Sequence, residues 1–98
     1  MYVAAVHRIN NPKVAFARGE RLIKNENAPD GVRGLQFYPS RTGAWVTCLW
    51  EAKSVDDVQR YVDETLGDSS ENTCYEVDAE HAFSRQPLGI AESASIGV

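Results

Sequence analysis

The chain has 98 residues, with 10 Lys and Arg against 14 Asp and Glu and a formal net charge of −4. Apolar residues make up 43% of it, the share of an ordinary globular domain, which excludes a disordered tail. One domain fits this length and two cores do not. No apolar run approaches the roughly 20 residues of a membrane span. The stretch Met1–Arg8 lacks the basic region and the apolar length of a secretory signal, so cytoplasmic residence is the expectation.

Residues 2–9 read as a strand, because Tyr2, Val3, Val6 and Ile9 favour extended backbone and no breaker intervenes. Asn11 is a good helix N-cap and Pro12 suits the first helical position, where its missing N–H costs nothing. The spacing of Ala15, Phe16, Gly19, Leu22 and Ile23 predicts a helix from Pro12 to about Lys24. Gly19 weakens that helix by roughly 1 kcal/mol against Ala, which predicts a close packing contact there. Residues 25–31 carry loop chemistry. A strand over Val32–Tyr38, a turn through Pro39–Gly43 and a strand over Ala44–Ala52 form a hairpin. Ser54 opens a second helix with Asp57 in near capping-box position, and Val55, Val58, Val62 and Leu66 recur at helical spacing up to Gly67. A fourth strand is expected over Asn72–Asp78 and a helical turn over 79–84. Residues 1–84 make one domain, and 85–98 a C-terminal tail whose Leu88, Ile90, Ile96 and Val98 are available to pack on a dimer partner.

The order β-α-β-β-α-β, with right-handed connections, resolves to an α+β fold: a four-stranded antiparallel sheet, strand order 4-1-3-2, with both helices on one face. Charge is divided unevenly along it. Residues 1–50 hold seven basic and three acidic side chains, and residues 51–98 three basic and eleven acidic. The basic Lys13, Arg18, Arg21 and Lys24 on the first helix and the acidic Asp56, Asp57, Asp63 and Glu64 on the second complement each other within the molecule. With the net negative charge, this argues against nucleic acid as a partner.

Strand alternation assigns faces. One consistent assignment sends Ala4, Val6, Leu35, Phe37, Val46, Cys48, Trp50, Tyr75 and Val77 toward the helices. The open face then holds Val3, Ala5, His7, Gly34, Gln36, Tyr38, Trp45, Thr47, Leu49, Glu51, Cys74, Glu76 and Asp78. That face is too apolar to be left in water, and a second copy of the chain is the simplest cover, giving a homodimer with a cavity between two sheets. Cys48 and Cys74 fall on strands separated by a third and on opposite faces, so no disulfide is expected within the chain.

Within the enclosed face, His7 is the one imidazole placed on a strand, and Glu76 belongs to the neighbouring strand. A His–carboxylate pair fits a general base near neutral pH, or two ligands of a divalent metal, or a hydrogen-bonded histidine of a dimer interface. Gln36, Trp45 and Thr47 complete a candidate ligand-binding set, Trp45 as a stacking surface and Gln36 or Thr47 as a donor to a developing oxyanion. Cys and His spacing gives no structural zinc site, and Gly31–Gly34 lacks the Lys of a phosphate cradle.

The segment Val46-Thr47-Cys48-Leu49-Trp50-Glu51-Ala52, followed by Ser54-Val55-Asp56-Asp57-Val58-Gln59-Arg60, resembles the strand-to-helix segment of a family of small bacterial ferredoxin-like proteins. That family includes nickel-binding homodimers and sits among the dimeric α/β-barrel proteins. The resemblance implies a ferredoxin-like subunit, a homodimer and, less directly, nickel or another divalent metal. Together these readings predict a homodimer that binds a small molecule or a metal ion without transforming it. The alternative is a cofactorless oxygenase or isomerase of the dimeric-barrel type in which His7 is the general base.

Overall fold

Asn11 and Ser54 open the two helices. In each case an extended residue turns its side-chain oxygen onto the backbone N–H three positions on, Val14 for Asn11 and Asp57 for Ser54. The computed structural model describes residues 1–89. Its elements follow the order β1 (Tyr2–Ile9), α1 (Pro12–Ile23), β2 (Arg33–Pro39), β3 (Trp45–Glu51), α2 (Val55–Leu66), a 3-10 turn (Gly67–Ser69) and β4 (Ser70–Glu76). Gly67 ends α2 with φ of +56°, a backbone region that favours glycine. Among the described residues no helix is long and apolar enough to cross a membrane.

All four strands pair antiparallel in one sheet of order β2-β3-β1-β4. Both helices lie on one face of it, so the fold is the βαββαβ arrangement expected from the element order. The core joins Val3, Ala5, Val46, Cys48 and Trp50 of the sheet to Leu22 of α1 and Val58, Val62 and Leu66 of α2. Trp50 meets Tyr61 edge to face, with ring centroids 5.8 Å apart.

The two helices divide the sheet unequally. α2 packs over β4 and β1, whereas α1 packs against α2 and only lightly against β2. Gln59 of α2 also seals the outer edge of β4: its amide donates to the Asn72 carbonyl at 2.9 Å and accepts from the Cys74 N–H at 3.1 Å. The expected pairing of α1 cations with the α2 acids Asp56, Asp57, Asp63 and Glu64 does not form among the described residues; instead Arg18 of α1 donates to the Leu66 carbonyl at the end of α2, at 2.9 Å, and to Asp68, at 3.3 Å. A cation at that end complements the helix dipole.

Three local expectations are corrected. β4 starts at Ser70, two residues before the expected Asn72, because the 3-10 turn carries the chain straight from α2 into the sheet. A single turn, with the His81 N–H donating to the Asp78 carbonyl at 3.2 Å, replaces the helical turn expected over 79–84. Gly19 is not clamped: a Cβ there meets only Leu66, at 4.0 Å, an ordinary contact. Leu88 of the tail is exposed, and the expected packing of Ile90, Ile96 and Val98 on a partner lies outside the described residues.

Candidate functional site

The site begins with the parity of β1. Val3 pairs with Trp50, Ala5 with Cys48 and His7 with Val46, and paired residues share a face. Val3, Ala5 and His7 therefore point toward the helices, and Ala4 and Val6 toward the open face, the reverse of the expected assignment. Charge decides between two otherwise similar patterns. Arg8 reaches solvent and an ion pair with Glu71 on the open side, while the odd-numbered positions deliver Ile9 to the edge of the core. β4 is reversed in the same way. Asn72 and Cys74 face the helices beside His7 and Ala5, and Tyr75 is turned out, 55% exposed. Gly34 also lies opposite Trp50, because β2 carries a bulge between Gly34 and Gln36.

His7 is 2% exposed. Its Nδ1 lies 2.7 Å from Asn72 Oδ1. Asn72 in turn donates from Nδ2 to Asp63 Oδ1 at 2.8 Å, and Ser70 Oγ donates to Asn72 Oδ1 at 2.6 Å. A carboxylate only accepts, so the Asn72 amide must turn its NH2 to Asp63 and its carbonyl to His7. His7 therefore carries its proton on Nδ1. Burial lowers the imidazole pKa, and the bond to Asn72 and the charge of Asp63 oppose that shift only in part. The neutral ring is left with an unprotonated Nε2, which is buried and has no hydrogen-bond partner among the described residues.

A cavity of about 290 Å³ opens where α1 stands off from β2 and β3. His7, Phe16, Phe37, Trp50 and Leu66 line it together with Gly19. The absence of a side chain at Gly19 on α1 helps to leave this space, whereas Gly34 on β2 makes room for the Trp50 ring, 3.3 Å from where a Cβ would stand. Gln36 and Tyr38 of β2 and Leu88 of the tail also border it. The indole N–H of Trp50 is buried without an acceptor among the described residues. The walls are thus mainly aromatic and aliphatic, and two of the lining residues hold unsatisfied polar atoms: an acceptor on His7 and a donor on Trp50. Cys48 belongs to the same wall, but burial pushes its thiol up to about 12 and that of Cys74 to about 11. Both cysteines face the helices, against the expectation of opposite faces; they are free thiols with β1 between them.

The expected site residues do not converge. Glu76 shares a face with His7 but pairs with Val3, four residues along β1, roughly 13 Å away at strand spacing, and it is exposed. The expected His7–Glu76 pair is replaced by His7–Asn72, because β4 pairs four residues out of the register that would set Glu76 beside His7. Trp45 and Thr47 lie on the open face, exposed, opposite Arg8 and Val6. Gln36 pairs with Leu49 on that face as well, and reaches the cavity rim beside the bulge. Neither nickel nor another divalent metal fits His7 and Glu76 so placed. His7 Nδ1 is committed to Asn72, and among the described residues no group of three or more His, Cys, Asp or Glu side chains is placed to hold an ion.

Asn72 and Asp63 are the partners that sequence reasoning did not assign to the site. The signal was present in the short link after Gly67, which fixes where β4 starts and hence what stands beside His7.

No protein-family model and no curated protein matches the chain. Among solved structures it is similar to that of Rv0793 from Mycobacterium tuberculosis, with 17% sequence identity, a TM-score of 0.48, and 94% of this chain and 100% of that one covered.

Proposed function

We propose that the protein is a homodimer that binds a small, largely apolar molecule between α1 and its own sheet and does not transform it. The observation that carries this reading is the cavity of about 290 Å³ with aromatic walls and an unpartnered His7 Nε2. Pockets of this size with few polar groups are the usual form of small-molecule sites. The site therefore lies on the helix side of the sheet, within one subunit. The open face takes the other role. Tyr2, Trp45 and Tyr75, 41%, 50% and 55% exposed, stand there with half-buried Val6 and Leu49. A patch of that kind on a small domain favours a second copy as its cover.

One observation favours a second reading, a cofactorless oxygenase or isomerase. The relay Asp63–Asn72–His7 suits a general base. His7 would take a proton from the bound molecule onto Nε2, and the imidazolium so formed would keep its Nδ1–H on Asn72. Thr47 lies on the far side of the sheet, so support of a developing oxyanion falls to Gln36.

Thermal melts against a panel of small apolar compounds test both readings. A true ligand at a hundred times its Kd adds about 2.7 kcal/mol. The shift is expected to disappear in Gly19→Leu, which fills the cavity. If no compound shifts the melt, or the shift persists in Gly19→Leu, the cavity is not the site. Mass analysis of the recovered compound separates the readings: unchanged compound supports binding, and conversion supports His7 as a base.

A further inference from the structure

We propose that Asn72, backed by Asp63, holds His7 as a hydrogen-bond acceptor, so that the cavity selects ligands bearing an O–H or N–H donor over the same molecules with that donor capped. The inference rests on the reading of the cavity as a binding site. It adds the chemistry that the occupant must present and names two positioning residues.

The hydrogen-bond chain runs inward from α2. Asp63 Oδ1 accepts from Asn72 Nδ2 at 2.8 Å. Gln59 Nε2 donates to both carboxylate oxygens at 3.1 Å, which fixes the carboxylate on the helix surface. Reversing the Asn72 amide would set its carbonyl oxygen against that carboxylate, acceptor to acceptor, so the orientation with NH2 toward Asp63 is the favoured one. Asn72 Oδ1 then receives two donors, Ser70 Oγ at 2.6 Å and His7 Nδ1 at 2.7 Å. No other protonation of a neutral ring satisfies this arrangement. The remaining nitrogen, Nε2, is a buried acceptor on a residue of the cavity wall with no partner among the described residues, and buried polar atoms in folded proteins rarely lack one. Nε2 is covered, so an occupant reaches it only with a small shift of the wall; a hydroxyl or N–H then satisfies it, whereas an ether or a carbonyl oxygen meets it lone pair to lone pair.

The test uses 2-naphthol, 2-methoxynaphthalene and naphthalene as probes, titrated into the whole protein at pH 7.5, with 15N NMR of the His7 ring. In the free protein the proton is expected on Nδ1. 2-Naphthol is expected to bind about tenfold or more tightly than either probe without a donor, the scale of one hydrogen bond, and to move the Nε2 resonance. Naphthalene removes bulk as the explanation. In His7→Phe the preference should vanish, with the ratio of 2-naphthol to naphthalene affinity falling to about one. In Asn72→Leu the tautomer should become mixed and the preference should shrink. Equal binding of all three to the unmodified protein, or a proton on Nε2, overturns the inference and leaves the cavity reading standing. If none of the three binds, the cavity reading fails and the inference falls with it. The decisive arms need no variant, so a variant that does not fold leaves the outcome defined.

Discussion

His7 is a buried base with its proton count fixed by its surroundings, and that has a thermodynamic consequence. Burial lowers its folded pKa from the ordinary 6.5. Between 6.5 and the lower folded value the unfolded chain binds the proton and the folded chain does not, so stability falls as pH falls through that window. Below the folded value both states carry the proton and the slope ends. A single group contributes at most about 1.4 kcal/mol per pH unit. Urea titrations from pH 7.5 down to 5 should therefore show a steeper loss for the unmodified protein than for His7→Phe, whatever their difference at pH 7.5. Parallel curves would show that His7 does not titrate on unfolding. The sequence marks His7 as the imidazole on a strand, but not its partner. Which side chain stands beside it depends on where β4 starts, and strand ends are set by backbone pairing and turn closure rather than by composition. A start at Ser70 brings Asn72 to His7, and no property of Glu76 or Asn72 alone reveals that.

At the scale of elements, the sequence carried the fold through caps and periodicity. Asn11-Pro12, Ser54 and Gly67 mark three of the four helix ends, and the β-α-β-β-α-β order leaves one compact sheet. Face assignment was legible only where one parity is plainly more apolar. In β3 the set Val46, Cys48, Trp50 is, and it packs as expected. In β1 the two sets are Val3-Ala5-His7-Ile9 and Tyr2-Ala4-Val6-Arg8, nearly equal in apolar content, and the decision rests on Arg8 being harder to bury than a neutral His. The helix α1 carries a second lesson. Gly19 suggests a tight crossing, yet the space beside it is cavity, with Leu66 at 4.0 Å from an added Cβ. Gly19→Ala should therefore keep the fold and stabilise it by roughly 0.5–1 kcal/mol through helix propensity. That is a rise of several degrees in Tm for a domain this small. A loss of stability on this substitution would mean that α1 lies closer to the sheet than it does here.

At the scale of the whole molecule, the two faces of the sheet pose different problems. The helix face is closed by α2 and left partly open by α1, which makes a pocket. The open face has no cover among the described residues, and its exposed side chains include Trp45 on β3 and Tyr75 on β4, with β1 between them. A charge placed on an aromatic of this face affects an isolated subunit little, because the side chain is already half in water. In a face-to-face dimer the same charge is buried without a partner, which costs several kcal/mol at each symmetric contact. Trp45→Glu combined with Tyr75→Glu should therefore leave the subunit folded and convert a dimer to a monomer in sedimentation. The unmodified protein should show a melting temperature that rises with concentration, and the double variant one that does not. The ion pairs Arg8–Glu71 and Arg33–Glu51 lie within a subunit and are exposed, so raised salt should leave the assembly largely intact if the aromatics carry it. A single sedimenting species of one subunit's mass for the unmodified protein, at every concentration, would remove the homodimer. It would leave the pocket between α1 and the sheet untouched, because every residue of that pocket comes from one chain.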